Sequence, residues 1–130
     1  MKESTVKFIF KDNDYLFEDE FLVIDDDIWL SKLQLANLYE RDRTTISRQI
    51  KSIYEKSLLD KETTCANFAR NKDKTSKSID YYSSEVLLLI GARIKSTRGQ
   101  LFYNCFRLNY SKENNNEMQE SIIYNNGIIW

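Results

Sequence analysis

The first thirty residues follow the hydrophobic and polar pattern of short β-strands. Apolar side chains alternate loosely with polar ones in "TVKFIF" (5–10) and cluster in "FLVI" (21–24). The polar run "KDND" (11–14) is typical of a turn, and "IWL" (28–30) is the last strand-like stretch. The pattern therefore predicts an N-terminal β-hairpin or short meander over residues 5–30.

From Ser31 onward the apolar period becomes helical. Ser31 is a favourable N-cap, and the stripe that follows it consists of Leu35, Ala36, Leu38 and Tyr39. Asp42 is the candidate N-cap of a second helix, whose apolar residues recur at helical spacing and are Ile46, Ile50 and Ile53, with Tyr54 and Leu58 extending them. Only "ERD" (40–42) separates the two segments, so the pattern predicts a helix-turn-helix over residues 31–58 with Ala36 at the crossing.

A second β-like region and two further helices follow. "CANFAR" (65–70) and "SIDYY" (78–82) alternate around the polar, basic stretch 71–77, which predicts a β-hairpin over residues 65–82. Ser84 is a candidate cap, and two helices separated by "KSTRG" are expected within residues 84–110. The tail, residues 111–130, has the polar composition of mobile chain, although "NNG" within it is also a hairpin turn signal.

The order of these elements predicts an α+β fold. A helix-turn-helix followed by a two-stranded wing is a winged helix, so residues 1–110 are expected to form one winged helix-turn-helix domain with an N-terminal β-hairpin and additional C-terminal helices.

Composition argues against most kinds of catalytic site. The 130-residue chain has no histidine, which excludes His-based acid–base catalysis and most zinc sites. Acidic runs such as "DDD" (25–27) lie between strand-like segments, where turns are the better interpretation. We therefore predict a protein that is not an enzyme and has no cofactor and no metal.

The predicted location is cytoplasmic. The longest apolar run, "VLLLI" (86–90), is far shorter than the roughly 20 residues that cross a bilayer, and no export signal is visible. We accordingly predict no association with membranes.

Charge is unevenly distributed along the chain. Residues 1–30 hold three Lys and nine Asp or Glu, a net charge of −6, whereas residues 41–77 hold ten Lys or Arg and five Asp or Glu, a net charge of +5. The basic half therefore coincides with the helix-turn-helix and the hairpin after it. Because a phosphate backbone responds to local charge, this distribution favours nucleic acid despite an overall net charge of −1.

The second predicted helix has a polar face suited to DNA. On a helical wheel Thr44, Arg48 and Lys51 lie opposite Ile46, and Thr45 and Ser47 flank them. With Arg43, these side chains are the predicted contacts to base edges and nearby phosphates. The predicted phosphate contacts from the turn and the wing are Arg41, Arg70, Lys72, Lys74 and Lys77. Arg93 and Arg98 have two interpretations, contact with phosphate or pairing with acids such as Asp80 and Glu85.

The chain resembles the RhuM family of bacterial proteins over residues 5–106. The likeness is carried by "IWLSKLQLANLYERDRTTISRQIKSIYEK", "CANFAR" and "YYSSEVLLLIGARIKSTRGQLF". The matching positions are Trp29, Leu30, Ala36, Asp42, Arg43, Thr45, Ile46, Ser47, Arg48, Ile50, Cys65, Ala66, Phe68, Tyr81, Tyr82, Gly91, Arg93, Ser96, Arg98, Gly99 and Phe102. The resemblance implies a virulence-associated or prophage-type DNA-binding protein.

Three positions depart from the family pattern, and no match extends beyond Phe106. Gln49 stands where the family has histidine, Glu85 where it has aspartate, and Cys105 where it has tryptophan. The role of the family's C-terminal extension is therefore not implied for this chain.

Two functions remain open from the sequence. The first is a sequence-preferring protein that binds double-stranded DNA as a transcriptional regulator, expected to act as a homodimer because one such helix gives little affinity or site length. The alternative is a protein-interaction module of the antirepressor or antitoxin kind that reuses a winged-helix scaffold and binds another protein. The acidic N-terminal region favours the alternative.

Overall fold

Three antiparallel strands form the N-terminal region of the computed structural model, which describes residues 3–12, 15–69, 78–109 and 122–123. Strands β1 (Glu3–Asp12) and β2 (Tyr15–Ile24) pair along their whole length, and β3 (Asp27–Ser31) pairs with the end of β2. Asp25 and Asp26 both have positive φ, 52° and 69°, as a tight turn between β2 and β3 requires. The predicted hairpin or meander is thus a meander.

Three helices, two strands, two helices and a short strand then follow in the described residues. The remaining elements are α1 (Lys32–Tyr39), α2 (Arg43–Glu55), the short α3 (Lys61–Thr64), β4 (Cys65–Ala69), β5 (Ser78–Ser83), α4 (Ser84–Arg93), α5 (Arg98–Asn109) and β6 (Ile122–Ile123). The fold is therefore α+β, as predicted. None of the helices in the described ranges is long and apolar enough to cross a membrane.

The strands belong to one sheet in the order β4-β5-β3-β2-β1-β6. The first five are antiparallel to their neighbours, and the two residues of β6 run parallel to β1 beside Lys7 and Phe8. The strand that precedes α1 therefore lies directly beside the strand that precedes α4. This arrangement brings the helix-turn-helix segment and the C-terminal helices against the same sheet.

One face of the sheet and the helices enclose the main core. Alternate residues of β1 are buried, as expected for a strand with one covered face, and Phe102 of α5 packs among their aromatic rings. Its ring centroid lies 5.3–5.9 Å from those of Phe8, Phe10, Phe17 and Phe21. Edge-to-face and tilted contacts of this kind add to the apolar burial and hold α5 on the sheet.

The opposite face of the sheet carries a smaller apolar cluster. Leu22, Ile24 and Tyr81 are buried there, with Trp29 and Phe68 packed against them. These residues alternate with the core residues of the same strands, so both faces of the central strands bury apolar area.

Several boundaries differ from the sequence-based prediction. Helix α2 ends at Glu55 because Ser57 takes a left-handed conformation, with φ at 56°, and the N–H of Leu58 donates to the carbonyl of Ile53. Leu58 therefore leaves the apolar stripe and is 45% exposed.

Two further corrections concern the start of helices. Ser83, and not Ser84, is the N-cap of α4, and the Ser84 hydroxyl donates to Asp27 Oδ2 at 3.0 Å. Helix α3 was not expected; it begins because Asp60 Oδ1 accepts from the N–H of Glu62. The tip of the predicted wing, residues 70–77, and most of the predicted tail lie outside the described residues.

Candidate nucleic-acid interface

Helix α1 begins with a reciprocal cap. The N–H of Gln34 donates to Ser31 Oγ at 3.2 Å, and the N–H of Ser31 donates to Gln34 Oε1 at 3.0 Å. The same Gln34 side chain donates to the carbonyl of Glu20 at 2.7 Å. Ser31 thus starts the helix as predicted, and Gln34 additionally ties it to β2.

The turn between α1 and α2 depends on a left-handed residue. Glu40 has φ 53° and ψ 47°, and the N–H of Arg41 donates to the carbonyl of Ala36 at 3.0 Å. Glycine is the residue that most easily adopts this conformation, so glutamate here costs roughly 1 kcal/mol. The Arg41 guanidinium donates to the carbonyl of Tyr39 at 3.1 Å, although the residue is largely exposed.

Helix α2 is capped and amphipathic. Asp42 Oδ1 accepts from the N–H of Thr45 at 2.8 Å, and this hydrogen bond holds the pKa of the Asp42 carboxyl below its ordinary value. Ile46, Ile50 and Ile53 are buried, as their spacing predicts.

The opposite face of α2 is open to solvent. Arg43, Thr44, Arg48 and Lys51 are exposed, and Thr45 and Ser47 are half-buried along its edges. Lys51 lies 3.9 Å from Glu55 in a salt bridge whose two side chains are mostly exposed, so the attraction is weak and the ammonium group can contact another anion. The predicted row is accordingly accessible along the first two turns of the helix.

The corner between α4 and α5, residues 91–99, contacts α1, α2 and the turn between them. Arg93 donates from Nε to Gln49 Oε1 at 2.7 Å and from Nη2 to Ser52 Oγ at 2.8 Å. Arg98 donates to Glu40 Oε1 at 3.1 Å and to the carbonyl of Leu38. Arg98 therefore pairs with an acid, as expected, although that acid is Glu40, whereas the partners of Arg93 are an amide and a hydroxyl. These contacts support the structural interpretation of both residues.

Two glycines of this corner make room for Tyr39. The buried Tyr39 hydroxyl donates to the carbonyl of Leu87 at 2.6 Å, and its burial raises the pKa of that hydroxyl. A Cβ added at Gly91 would lie 2.7 Å from the Tyr39 hydroxyl oxygen, and one added at Gly99 would overlap it. The last residue of α1 is therefore inserted against α4 and α5.

The predicted wing contacts are only partly described. Strands β4 and β5 pair antiparallel from Cys65 opposite Tyr82 to Ala69 opposite Ser78. The predicted phosphate contacts Arg70, Lys72, Lys74 and Lys77 all fall in the connection between these strands and lie outside the described residues. Arg41 is the predicted phosphate contact that the described part includes.

A groove beside the start of α2 was missed by sequence reasoning. It has a volume of about 370 Å³, lies next to Ser31, and is lined by Lys32, Leu33, Arg43, Ser78, Ile79 and Asp80. Periodicity gives no signal for it, because its walls come from α1, α2 and β5, which meet only in the folded chain. We call it the α1–β5 groove.

No group of three or more potential metal ligands is found in the described ranges. No family model, curated protein or solved structure matches this chain. The likeness to the RhuM family therefore stays a prediction from the residues quoted for it.

Proposed function

We propose that this chain is a winged helix-turn-helix protein that binds double-stranded DNA with sequence preference and acts as a transcriptional regulator. The observation that carries the proposal is the exposed row of Thr44, Arg48 and Lys51 on α2, opposite three buried isoleucines. A helix of this kind can enter the major groove and contact base edges from its first turns.

The surroundings of α2 support the proposal. Arg41 and Arg43 lie at its N-terminal end, where DNA-binding helices meet phosphates. The β4–β5 pair follows the helix-turn-helix and lies beside β3, the strand before α1, which is the order of a helix-turn-helix with a two-stranded wing. A prophage-type setting and a cytoplasmic location go with this proposal, which assigns no catalytic residue, cofactor or metal.

The experiment that tests the proposal measures binding to random duplex DNA as salt is varied. If five to eight cations contact phosphates, affinity should fall roughly 10³–10⁴-fold between 50 and 200 mM salt. Fluorescence anisotropy with a labelled duplex would measure this, and absence of binding at 50 mM salt would contradict the proposal.

Sequence preference is tested by selecting bound fragments from a random duplex pool and then substituting Arg48. Arg48→Ala should cost about 1–3 kcal/mol at one base position of the selected site if its guanidinium reads a base. An equal loss on every sequence would make Arg48 a phosphate contact only. Arg107→Ala is the matched control, because Arg107 is an exposed arginine on α5.

A protein-interaction module is the second candidate. It is favoured by the acidity of the N-terminal strands, where Glu18 and Glu20 are exposed on β2. An acidic surface suits a basic protein partner and repels DNA. Under this alternative the chain would bind no duplex at low salt, and Glu18→Gln with Glu20→Gln would abolish binding to the partner.

A further inference from the structure

The α1–β5 groove places exposed apolar side chains beside cations. Leu33 is 51% exposed and Ile79 is 42% exposed, and both line it. They are two of five large apolar side chains that are exposed in the described ranges. Apolar side chains that share an open groove are a better indication of contact with a ligand than the same side chains scattered singly.

The charge of the groove favours an anion. Lys32 and Arg43 line it, and in the described part of the chain neither forms a salt bridge. Asp80 also lines it, but Asp80 Oδ1 accepts from Asn67 Nδ2 at 2.7 Å. Two cations and one carboxylate leave a net positive wall, to which the Ser78 hydroxyl adds a donor.

Arg43 connects the groove to the exposed face of α2. It is the first residue of α2 and also a wall of the groove, so the groove adjoins the N-terminal end of the row from Thr44 to Lys51. The volume of about 370 Å³ is near the lower end of the roughly 300–1,000 Å³ typical of ligand sites, enough for a small polar unit with an apolar side.

We propose that the α1–β5 groove holds one sugar–phosphate unit of the DNA backbone next to the segment that α2 reads. Lys32 and Arg43 pair with the phosphate, and Leu33 and Ile79 lie against the deoxyribose. The inference rests on the proposed DNA-binding function. The side chains lining the groove are not aromatic, so a free nucleotide would find no surface on which to stack its base.

The phosphate contact is tested with Lys32→Gln in the full chain. If Lys32 neutralises one phosphate, the variant should bind random duplex several-fold more weakly, and the slope of log affinity against log salt should decrease by roughly 0.9. Lys32→Arg should retain most of the binding. Lys56→Gln is the control, because Lys56 is an exposed lysine at the opposite end of α2.

The sugar contact is tested with a matched pair of leucine substitutions. Leu33→Glu places a carboxylate in the groove and should weaken binding about tenfold or more, whereas Leu108→Glu should change it little. Both leucines are more than half exposed, and both variants change the net charge equally. A difference in DNA affinity between the two variants therefore reflects the position of the leucine. Circular dichroism of each variant checks that it is folded.

The outcomes separate this inference from the proposed function. If the unaltered chain binds no duplex at 50 mM salt, the DNA-binding function fails and the groove assignment fails with it. If the chain binds duplex but Lys32→Gln and Leu33→Glu behave like their controls, only the groove assignment is overturned. It is also overturned if thymidine monophosphate shifts the methyl resonances of Leu33 and Ile79 at micromolar concentration while Lys32→Gln leaves duplex affinity unchanged.

Discussion

At the scale of single residues, Asp42 links protonation to the start of α2. Its carboxylate accepts the Thr45 N–H, which lowers the pKa of the carboxyl from an ordinary value of 3.8. A lowered pKa in the folded state means that the stabilisation is fully present above the unfolded value and is lost as pH falls through the folded value.

We expect Asp42→Ser to weaken the dependence of folding stability on pH in the acidic range. Serine can cap the helix but does not titrate, so urea midpoints of the variant should fall less than those of the unaltered chain as pH is lowered from 6 to 3. Urea unfolding followed by circular dichroism at several pH values measures the midpoints of both proteins. An identical pH dependence in the two proteins would show that the Asp42 carboxylate contributes nothing to it.

Gly91 is a second residue whose substitution should change the stability of the fold measurably. In an open helix position Gly→Ala usually stabilises by about 0.5–1 kcal/mol, but here the added methyl group would meet the Tyr39 hydroxyl. We therefore expect Gly91→Ala to destabilise the fold by about 1–3 kcal/mol.

The double variant separates this contact from other effects of the substitution. Tyr39→Phe alone should cost about 1 kcal/mol through the lost hydrogen bond to Leu87. Because it also removes the obstructing oxygen, Gly91→Ala with Tyr39→Phe should be more stable than the sum of the single effects, by about 0.5–3 kcal/mol. Simple additivity in denaturant unfolding would contradict the close contact.

At the scale of elements, α1 and α2 were the most predictable part of the chain. Ser31 and Asp42 are caps, and Ile46, Ile50 and Ile53 are buried, because caps and apolar periodicity are local properties. The end of α2 was not predictable, since the left-handed Ser57 redirects Leu58 out of a stripe that its spacing alone would continue.

The hydrogen bonds from Arg93 that hold α2 in position could not be predicted from the sequence. Arg93 lies 44 residues from Gln49 along the chain, and nothing local indicates that their side chains meet. Acids were the predicted partners of Arg93 and Arg98 because opposite charge can be recognised in the sequence. Arg98 pairs with the acid Glu40, but the partners of Arg93 are an amide and a hydroxyl.

We expect Arg93→Ala to reduce sequence discrimination more than general affinity. Loss of its hydrogen bonds to Gln49 and Ser52 should cost about 1–3 kcal/mol of stability. Without these bonds the orientation of α2 is less fixed. The ratio of affinities for a selected and a random duplex measures discrimination.

Arg107→Ala removes the same charge from α5 and serves as the control for Arg93→Ala. If both variants lower the two affinities equally, Arg93 acts only through its charge and not through the position of α2. A salt slope that stays unchanged in Arg93→Ala would agree with a positioning role.

At the scale of the whole molecule, acidic strands and the basic helix are separate regions. Glu18 and Glu20 are exposed on β2, whereas Arg43 and Arg48 are exposed on α2. Under the proposed function, a distribution of this kind would orient the chain as it approaches DNA, since one side is attracted and the other repelled. The overall net charge of −1 does not indicate this separation of acidic and basic regions.

We expect two copies of the chain to share one DNA site. A single α2 helix covers few base pairs, so fragments selected from a random pool should contain two inverted half-sites about 34 Å apart. Sedimentation of the complex should then give two chains per duplex. A single half-site bound by one chain would contradict the dimer and leave the α2 contacts in place.

The insertion of Tyr39 between Gly91 and Gly99 constrains how the sequence can drift over generations. A methyl group gained at Gly91 is accommodated more easily once the aromatic hydroxyl has gone, whereas one gained at Gly99 would still lie 2.7 Å from the ring carbon Cζ and requires a smaller side chain at position 39. Among descendants of this gene, a larger residue at position 91 or 99 should therefore occur only with a changed residue at position 39, although sixty residues separate positions 39 and 99.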